Sequence, residues 1–268
     1  METKLFFINA LSNLHVGSGE INYGLVDNLI QRDPVTGLPT INSSSLKGAL
    51  REHFTKVEKN TIDVISIFGS DPKETKDRRQ GTVRFFDADL VSLPVRTTGA
   101  EFPFVHVSTT QQLNRLWHHC EQLGIPNAQL FNSIANLPNM QKEKITVEIE
   151  DIEGSIPSVK TGKSAEKIVG ERIAIVSEEE MEQLCNNEHL PVISRNCLDD
   201  GQSTNLFYEQ VLPRYSRLAT IVMGEGNQFA DFCNALNNQI VQIGAHATIG
   251  YGFCLFKLYP LTNNNPQQ

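Results

Sequence analysis

Hydrophobic residues at two different spacings predict both strands and helices in this chain. From Leu5 to Leu11 the apolar side chains run almost without a break, which favours a buried strand. After three consecutive serines, apolar residues from Leu46 to Phe54 recur every three or four positions, as on the buried face of a helix. A second helix is predicted to begin at about Thr109 and to end near Gly124. The chain therefore opens as a mixture of both element types.

The later segments show the same mixture. Residues 145–149 alternate between apolar and polar, which predicts a half-buried strand, and Ser177 with Glu180 forms the capping pattern of a helix start. Segment 154–170 is polar, and we expect a mobile loop there. At about 191–213, two strand-like stretches flank the turn sequence DDGQST, so a long hairpin is predicted.

The order of these elements predicts the fold class. Strand, helix and strand come first, and a helix followed by a strand closes the chain near residue 258. This order fits an α+β fold with a ferredoxin-like (RRM-like, split βαβ) palm and large insertions. That topology is also the scaffold of many RNA-binding modules. We expect a single domain over 1–268 with a disordered tail at 262–268.

Composition narrows the class of protein but does not point to RNA. The net charge of −8 is unfavourable for binding phosphates, yet residues 1–115 are neutral, with 13 basic and 13 acidic side chains. The five cysteines are far apart and form no CxxC pair, so neither zinc nor a disulfide framework is expected. No apolar run is long enough to cross a membrane, and no signal peptide is apparent. We expect a cytoplasmic protein without membrane contact.

Glycine-containing segments are the candidates for ligand binding. In segment 14–51 a glycine-containing loop leads into a helix start, where Lys47 and Arg51 project to one side and could hold phosphate; a capped surface helix with solvated charges is the alternative. Segment 243–253 is a second glycine-rich loop, which could also be an ordinary turn. The GKS at 162–164 is not taken as a nucleotide loop, because Pro157 stands where glycine is required and no flanking strand and helix are predicted.

Several motifs in consistent order resemble one known family. The segments LHVGSGE (14–20), GLVDNLIQRDPVTGLPTINSSSLKGALR (24–51) and IGAHATIGYGF (243–253) resemble the signatures of the RAMP superfamily. Within it, they are most similar to the backbone subunit of the type III-B (Cmr) CRISPR effector. Middle segments such as GTVRFFDADLVSLPVRT and NLFYEQVLP resemble the same subunit, so the likeness spans about residues 5–255.

The resemblance implies RNA partners and a filament. Subunits of this family polymerise along a CRISPR guide RNA, bind a single-stranded target RNA and contact other subunits of the complex. A thumb hairpin, here about 191–213 with Arg195 and Leu198, kinks the guide–target duplex. The implied RNA-binding residues are Gly17, Ser18, Gly19, Arg32, Ser44, Ser45, Lys47, Arg51, Gly244, Gly250 and Gly252.

The resemblance also implies metal-dependent cleavage of the target at regular intervals. By motif position, Asp27 is the acid of the first loop and the ligand for a divalent metal, Mg²⁺ or Mn²⁺. A carboxylate there can hold a cation or take a proton from an attacking 2′-hydroxyl. His15 and Glu209 are further catalytic candidates. Val211 departs from a tyrosine that the family often shows, so that hydroxyl is absent or comes from Tyr208.

Each of these assignments has an alternative. Asp27 could cap a turn, His15 could pack the loop, and Glu209 could be a solvated carboxylate of the hairpin. A non-catalytic scaffold subunit that binds RNA without cutting it is the main competing function, and the loop acid Asp27 favours cutting. A small-molecule nucleotide binder is the third class, but no complete phosphate-loop fingerprint supports it.

Overall fold

The computed structural model describes residues 1–19, 24–56, 62–71, 78–98, 102–126, 134, 144–149, 152, 155–161, 163–199 and 202–259. The predicted α+β class is confirmed. The strands are β1 Glu2–Ala10, β2 Thr40–Ile41, β3 Arg84–Thr98, β4 Phe104–Thr109, β5 Lys144–Ile149, β6 Ser155–Lys160, β7 Arg172–Val176, β8 Val192–Asp199, β9 Gln202–Gln210, β10 Arg217–Gly224, β11 Ile240–Gln242 and β12 Phe253–Tyr259. The helices are α1 Ser43–Lys56, α2 Val64–Phe68, α3 Thr110–Gln122, α4 Lys163–Val169, α5 Glu178–Cys185 and α6 Gly226–Leu236, with a 3-10 turn at Ala247–Ile249.

Four strands in the order β12-β1-β10-β3 form the centre of a large sheet, and each neighbouring pair is antiparallel. Helix α1 lies in the connection from β1 to β3, and α6 lies in the connection from β10 to β12. Because the side chains of a strand alternate between faces, β1 divides its own between two cores. Phe6 and Ile8 join the core that includes α1 and α6, whereas Leu5 and Phe7 join the core that includes α3 and α4. Coverage on both faces explains the unbroken apolar run of the sequence.

The second half of β3 leaves this sheet and takes part in a closed ring of strands. Strand β3 pairs with β4, β4 with β7, β7 with β6, β6 with β5, and β5 returns to β3 at Thr97 and Thr98. Only the β4–β7 pair is parallel among these five pairings. One long strand thus joins the four central strands to a five-stranded ring.

The predicted starts of α3 and α5 are confirmed, and each has a capping hydrogen bond. The Thr109 side chain accepts a hydrogen bond from the amide of Gln112 at the start of α3, and Gly124 follows that helix with a left-handed φ of +69°. At α5, Ser177 and Glu180 form both hydrogen bonds of the capping box. These motifs are local, and the surrounding packing leaves them intact.

The predicted mobile loop at 154–170 is wrong. The structure has β6 at Ser155–Lys160 and α4 at Lys163–Val169 there, so a strand precedes the GKS sequence and a short helix begins at its lysine. Ile168 and Val169 are fully buried, and Ser158 is buried although polar. Tertiary packing on the ring gives this polar segment its structure. Pro157 lies within β6, so the absence of a nucleotide loop still follows from that residue.

The predicted hairpin is confirmed in position. Strands β8 and β9 pair from Val192 with Gln210 to Asp199 with Gln202 and form a two-stranded sheet of their own. The turn residues 200–201 and the predicted disordered tail 262–268 lie outside the described residues. Cys120, Cys185, Cys233 and Cys254 are free and buried, and burial raises the pKa of each thiol to about 12. None of the helices in the described part of the chain has the length and apolar character to cross a membrane.

Candidate active site

The two glycine-rich segments of the sequence meet in space. The amide of Ala245 donates to the carbonyl of His15 at 2.9 Å, and the amide of Gly252 donates to Asn13 at 2.9 Å. Gly244 has a left-handed φ of +80°, and a Cβ there would overlap the carbonyl oxygen of His15. The glycine at this position therefore permits a close backbone approach between the first loop and the last loop.

The first loop also pairs with the hairpin. The amide of Asp27 donates to the carbonyl of Tyr208 at 3.0 Å, and the amide of Gln210 donates to the carbonyl of Asn28 at 2.9 Å. Within the loop, Ser18 donates to Leu29 at 2.9 Å. These backbone hydrogen bonds bring the first loop, the base of β9 and the glycine-rich loop 243–253 together at one site.

Glu209 is the centre of this junction. Its side chain is only 4% exposed, so the alternative of a solvated hairpin carboxylate is excluded. Nε2 of His246 lies 2.8 Å from one carboxylate oxygen, and the side-chain Nδ2 of Asn28 donates to the other at 3.2 Å. Nε of Arg195 also donates to the carboxylate. Burial by itself would raise the pKa of Glu209, but the hydrogen bonds from His246 and Arg195 and the charges of His15 and His246 outweigh it and lower that pKa.

His15 is buried against the same carboxylate. Its Nδ1 lies 2.7 Å from the carbonyl oxygen of Gln210 and donates to it, which leaves Nε2 facing Glu209 at 3.9 Å. The ring is 5% exposed and lies 5.9 Å from the ring of His246, centroid to centroid. The geometry shows His15 as a packed residue of the loop that is close to the acidic centre.

Arg195 was predicted as a thumb residue, and the structure places its guanidinium at the base of the hairpin. In addition to Glu209, the guanidinium contacts the ring of Tyr251, 4.8 Å from the centroid. The sequence analysis did not identify Tyr251, Asn28 or His246 as parts of the site. His246 adopts a left-handed φ of +66°, which is uncommon for histidine, and this backbone accompanies its contact with Glu209. The only sequence feature that marked His246 was its position between Gly244 and Gly250 in IGAHATIGYGF.

Asp27 differs from Glu209 because it is exposed. One carboxylate oxygen accepts a hydrogen bond of 2.7 Å from the amide of Tyr208, and the other has no partner among the described residues. A cavity of about 720 Å³ lies beside it and is lined by Leu25, Leu29 and the 40% exposed Tyr208, among others. Val211, by contrast, is fully buried. Tyr208 is therefore the exposed tyrosine whose backbone contacts Asp27.

Two of the predicted RNA-binding residues, Gly17 and Ser45, are joined through a third side chain. Gln31, which the sequence analysis did not identify, donates to Ser45 at 2.9 Å and to the carbonyl of Gly17 at 3.2 Å. This buried amide fixes the start of α1 against the glycine loop. Ser44 is exposed, and Gly19 adopts a left-handed φ of +76° with open space around its Cα.

The predicted cations have different surroundings. Lys47 is half-buried and forms no hydrogen bond or ion pair with any described residue. Arg51 donates to the carbonyl of Ser70 at 3.2 Å, and Arg32 donates to the carbonyl of Gly37 at 2.9 Å. Burial lowers the pKa of Arg32. Lys47 is thus the cation of this group that is available to a phosphate.

The remaining predicted residues lie in the last loop and in the hairpin. Gly250 and Gly252 have left-handed φ values of +85° and +80°, and a Cβ on Gly252 would overlap the carbonyl oxygen of Ile243. The close backbone approach explains why glycine is needed at position 252, whereas a Cβ on Gly250 would meet open space. Leu198 pairs with Ser203 near the end of the hairpin, as expected for a tip residue.

Comparison with known proteins identifies the family. Residues 7–255 match the family model described as the RAMP superfamily. The chain belongs to the RAMP superfamily. The RAMP chain is 29% identical to the CRISPR system Cmr endoribonuclease Cmr4 of Pyrococcus furiosus, over 98% of each chain. It is 32% identical to the CRISPR system CMR subunit Cmr4 of Saccharolobus solfataricus, over 57% of this chain and 50% of the relative.

Several solved structures share the fold of this chain. A chain of the type III-B Cmr-beta complex bound to cognate target RNA superposes with a TM-score of 0.76 at 22% identity, covering 96% of this chain and 97% of the other. The crystal structure of oligomeric Cmr4 from Pyrococcus furiosus gives a TM-score of 0.66 at 21% identity, covering 96% of this chain and 98% of that chain. These likenesses establish the fold of almost the whole chain.

Proposed function

We propose that this chain is a backbone subunit of a type III-B CRISPR complex, and that it binds guide RNA and cleaves complementary target RNA. One observation carries the proposal: Asp27 presents an exposed carboxylate where the first loop, the hairpin and the last loop meet. The relative over 98% of both chains is named an endoribonuclease. The partners of the proposed subunit are the guide RNA, the target RNA, further copies of itself and other subunits of a cytoplasmic complex.

We infer a ferredoxin-like palm and a thumb for the architecture. The strand order β12-β1-β10-β3, with α1 and α6 in the two crossover connections, supports the split βαβ palm. The hairpin of β8 and β9 supports the thumb, because it forms a separate sheet and joins the rest of the chain near the first loop. On this proposal the hairpin separates neighbouring segments of the guide–target duplex, and Leu198 wedges between bases.

The proposed reaction is an attack of the RNA on itself. The 2′-hydroxyl oxygen of one nucleotide attacks the adjacent phosphorus, and the bond from that phosphorus to the next 5′-oxygen breaks. The products are a 2′,3′-cyclic phosphate and a 5′-hydroxyl. The free oxygen of the Asp27 carboxylate can accept the proton of the attacking hydroxyl, because it is exposed and has no described partner. The leaving 5′-oxygen takes a proton from water.

A divalent cation, Mg²⁺ or Mn²⁺, remains part of the proposal. Among the described residues no group of three His, Cys, Asp or Glu side chains could hold a metal ion. Asp27 offers one free carboxylate oxygen, and Mg²⁺ is commonly held by one or two carboxylates together with substrate phosphates. This is the alternative to proton acceptance, because Asp27 has only one free oxygen: that oxygen and the RNA would hold the ion together. A bound cation supplies charge stabilisation for the developing negative charge on the phosphate.

In this proposal Glu209 and His15 position Asp27 and do not contact the RNA. The carboxylate of Glu209 is occupied by Arg195, His246 and Asn28, and Asn28 is the direct neighbour of Asp27 in the chain. His15 is hydrogen-bonded to the carbonyl of Gln210, next to Glu209. The cluster therefore fixes the position of the Asp27 backbone relative to the hairpin. A direct catalytic contact of His15 or Glu209 with RNA requires that the loop open.

Reconstitution tests the proposal. The chain is co-expressed with its partner subunits, the complex is purified, and the RNA that accompanies it is sequenced. We expect repeat-derived guide RNA, and we expect cleavage of a complementary target at regular intervals in the presence of Mg²⁺ or Mn²⁺. Guide RNA without any cleavage would support the scaffold function instead, and recovery of no RNA would contradict both.

A further inference from the structure

A second cavity lies away from the candidate active site, on the five-stranded ring. Its volume is about 340 Å³. Three cations line it: Lys160 at the end of β6, Arg172 at the start of β7 and Arg217 at the start of β10. The aromatic rings of Phe104 and Tyr215 form another wall. None of the predicted RNA-binding or catalytic residues contributes to this cavity.

The positions of two of these cations are electrostatically unfavourable when no anion is bound in the cavity. Lys160 and Arg172 are directly opposite each other on antiparallel strands, where two like charges are destabilising. Lys160 has no hydrogen bond or ion pair with any described residue. Nε of Arg217 is buried and finds no acceptor in the described part of the chain. Arg172 already donates to the carbonyl of Ser158 at 3.4 Å and lies over the ring of Phe102. An anion bound beside Lys160 and Arg217 would relieve the repulsion between Lys160 and Arg172 and give Nε of Arg217 an acceptor.

Two carboxylates, Glu166 and Glu171, also reach the cavity. Three cations against two acids leave one surplus positive charge, with His106 uncharged. Both acids are exposed, whereas Arg172 and Arg217 are partly buried. The inner part of the cavity is therefore the positively charged part.

The aromatic wall is flat and partly open to solvent. The rings of Phe104 and Tyr215 are stacked, with centroids 5.4 Å apart and planes 5° apart. Tyr215 is 41% exposed and adopts a left-handed φ of +75°, which is a rare conformation for a bulky residue. Nε2 of His106 lies 3.1 Å from the Tyr215 carbonyl and holds this turn. The Tyr215 ring is also contacted by the guanidinium of the exposed Arg214, 5.4 Å from the ring centroid. A strained backbone that holds an aromatic ring beside cations is typical of a binding site.

We infer that this cavity binds a phosphorylated nucleotide. The base stacks on the Phe104–Tyr215 wall, where it displaces the exposed guanidinium of Arg214 from the Tyr215 ring. Lys160, Arg172 and Arg217 hold the phosphate. Stacking on aromatic rings and pairing of phosphate with arginine or lysine are the two contacts by which proteins hold nucleotides without reading their sequence. The volume falls in the range of small-ligand sites.

The nucleotide can come from two sources with the same chemistry, a free nucleotide or one unit of an RNA strand. Assigning it to an RNA strand rests on the proposed function, because that function brings RNA to the chain. Binding of the nucleotide itself does not rest on it. The two sources are separated by competition between a mononucleotide and an oligonucleotide.

Calorimetric titration of the full chain with uridine 5′-monophosphate tests the inference. We expect saturable binding that Lys160→Gln weakens about tenfold, because one phosphate contact is lost. Tyr215→Asn is expected to weaken binding by about tenfold through lost stacking, and asparagine tolerates the left-handed backbone. Lys56→Gln, which removes an exposed lysine of α1, is the matched control and should leave binding unchanged.

The outcomes separate clearly. Absence of saturable binding, or equal binding by the wild type, Lys160→Gln and Tyr215→Asn, would overturn the inference. Displacement of the mononucleotide by an eight-residue oligouridylate supports the site with an RNA strand as its source, whereas lack of displacement supports it with a free nucleotide. Target cleavage by the assembled complex is measured separately, so a failure of the proposed function is recognised independently of nucleotide binding. Thermal midpoints of all variants show that each is folded.

Discussion

The carboxylate of Asp27 accepts a 2.7 Å hydrogen bond from the backbone amide of Tyr208. Two backbone hydrogen bonds to the carbonyl of Tyr208, from Asp27 and Asn28, run beside it. The acid proposed for RNA cleavage therefore also joins the first loop to the hairpin. A substitution that removes both the hydrogen bond and the free carboxylate oxygen cannot show which of the two matters for cleavage. Two different substitutions of Asp27 are therefore needed.

Asp27→Asn should abolish most cleavage and leave assembly intact. Asparagine keeps an oxygen that can accept the hydrogen bond from Tyr208, but it cannot take a proton or provide a charged metal ligand. We expect the cleavage rate of the reconstituted complex to fall on the order of 10²-fold or more, with guide and target binding near normal. Single-turnover cleavage and a parallel binding titration measure the two quantities.

Asp27→Ala is the companion variant, because it also removes the hydrogen bond to Tyr208. It should lose the same cleavage and in addition about 1 kcal/mol of stability. If Asp27→Asn cuts normally and only Asp27→Ala fails, the carboxylate is structural, and the scaffold function is favoured.

Lys47→Ala should weaken guide binding uniformly across guide sequences. A phosphate contact carries no base information, and its loss reduces the salt dependence of binding, with the slope of log K against log salt smaller by about 1. The measurement is a binding titration at several salt concentrations. Arg51→Ala is expected to add a loss of stability of about 1 kcal/mol, because Arg51 also donates to the carbonyl of Ser70. A loss of affinity for particular guide sequences only would contradict the phosphate assignment.

Glu209→Gln should destabilise the protein strongly. Arg195 and His246 would then be left around an uncharged amide, and removal of one partner from a buried ion pair typically costs about 3–5 kcal/mol. Urea unfolding at neutral pH measures the change. Glu182→Gln, which alters an exposed carboxylate of α5, is the control and should change the free energy of unfolding by less than about 0.5 kcal/mol. Equal stability of the two variants would show that Glu209 does not hold the junction.

Deletion of residues 199–204 should shorten the hairpin without unfolding the chain. The contacts of the first loop with β9 involve Tyr208 and Gln210 and lie outside the deletion. We expect guide binding to persist and the regular spacing of target cuts to disappear, since the wedge would no longer separate duplex segments. Gel analysis of end-labelled target reads the spacing. An unchanged ladder of products would show that another segment is the thumb.

His106 should make stability depend on pH. Burial and the charge of Arg217 lower the pKa of His106 to about 4, against 6.5 for an unperturbed histidine, with the hydrogen bond to Tyr215 acting in the opposite direction. Between these values the unfolded chain binds a proton that the folded chain does not. The free energy of unfolding should therefore fall as the pH decreases from about 6.5 to about 4, by as much as roughly 3 kcal/mol.

His106→Gln provides the comparison for this effect. Glutamine can still donate a hydrogen bond to the carbonyl of Tyr215, but it does not titrate. Urea unfolding at pH 7.5, 6, 5 and 4 (approximate steps across the window) should show a shallower pH dependence for the variant than for the wild type. Parallel curves for the two proteins would mean that His106 is not the responsible group.

Local patterns of the sequence predicted much of the fold. The buried strand β1, the helix α1 with Leu46 and Leu50 inward, and the cap at Ser177 all depend on neighbouring residues, which a sequence shows directly. Segment 154–170 was mispredicted because its order comes from packing on distant strands: β6 pairs with β5 and β7, and Ile168 is buried in the second core. Long-range pairing of that kind leaves no periodic signal in a short polar segment.

The candidate site was predicted in outline but not in its connections. Family resemblance selected Asp27, His15 and Glu209. The structure brings Glu209 next to His15 and joins Asp27 to Tyr208, the neighbour of Glu209 in β9. Gln31 could not be selected from the sequence, because its importance depends on which side chains it contacts, and the glycines around His246 gave no indication that it contacts Glu209. The side chain of Gln31 forms three hydrogen bonds, but the sequence alone does not distinguish such a buried glutamine from an exposed one.

The ring β3-β4-β7-β6-β5 limits how copies of this chain can associate. Each of its strands is paired on both sides, so the large sheet ends, among the described strands, only in the short strands β2 and β11. On the large sheet, growth by adding strands from one molecule to the next, which produces fibres of unlimited length, therefore has few unpaired backbone groups to start from. Subunits aligned on a guide RNA would then touch mainly through side chains and loops. The length of such an assembly would be set by the RNA rather than by the protein.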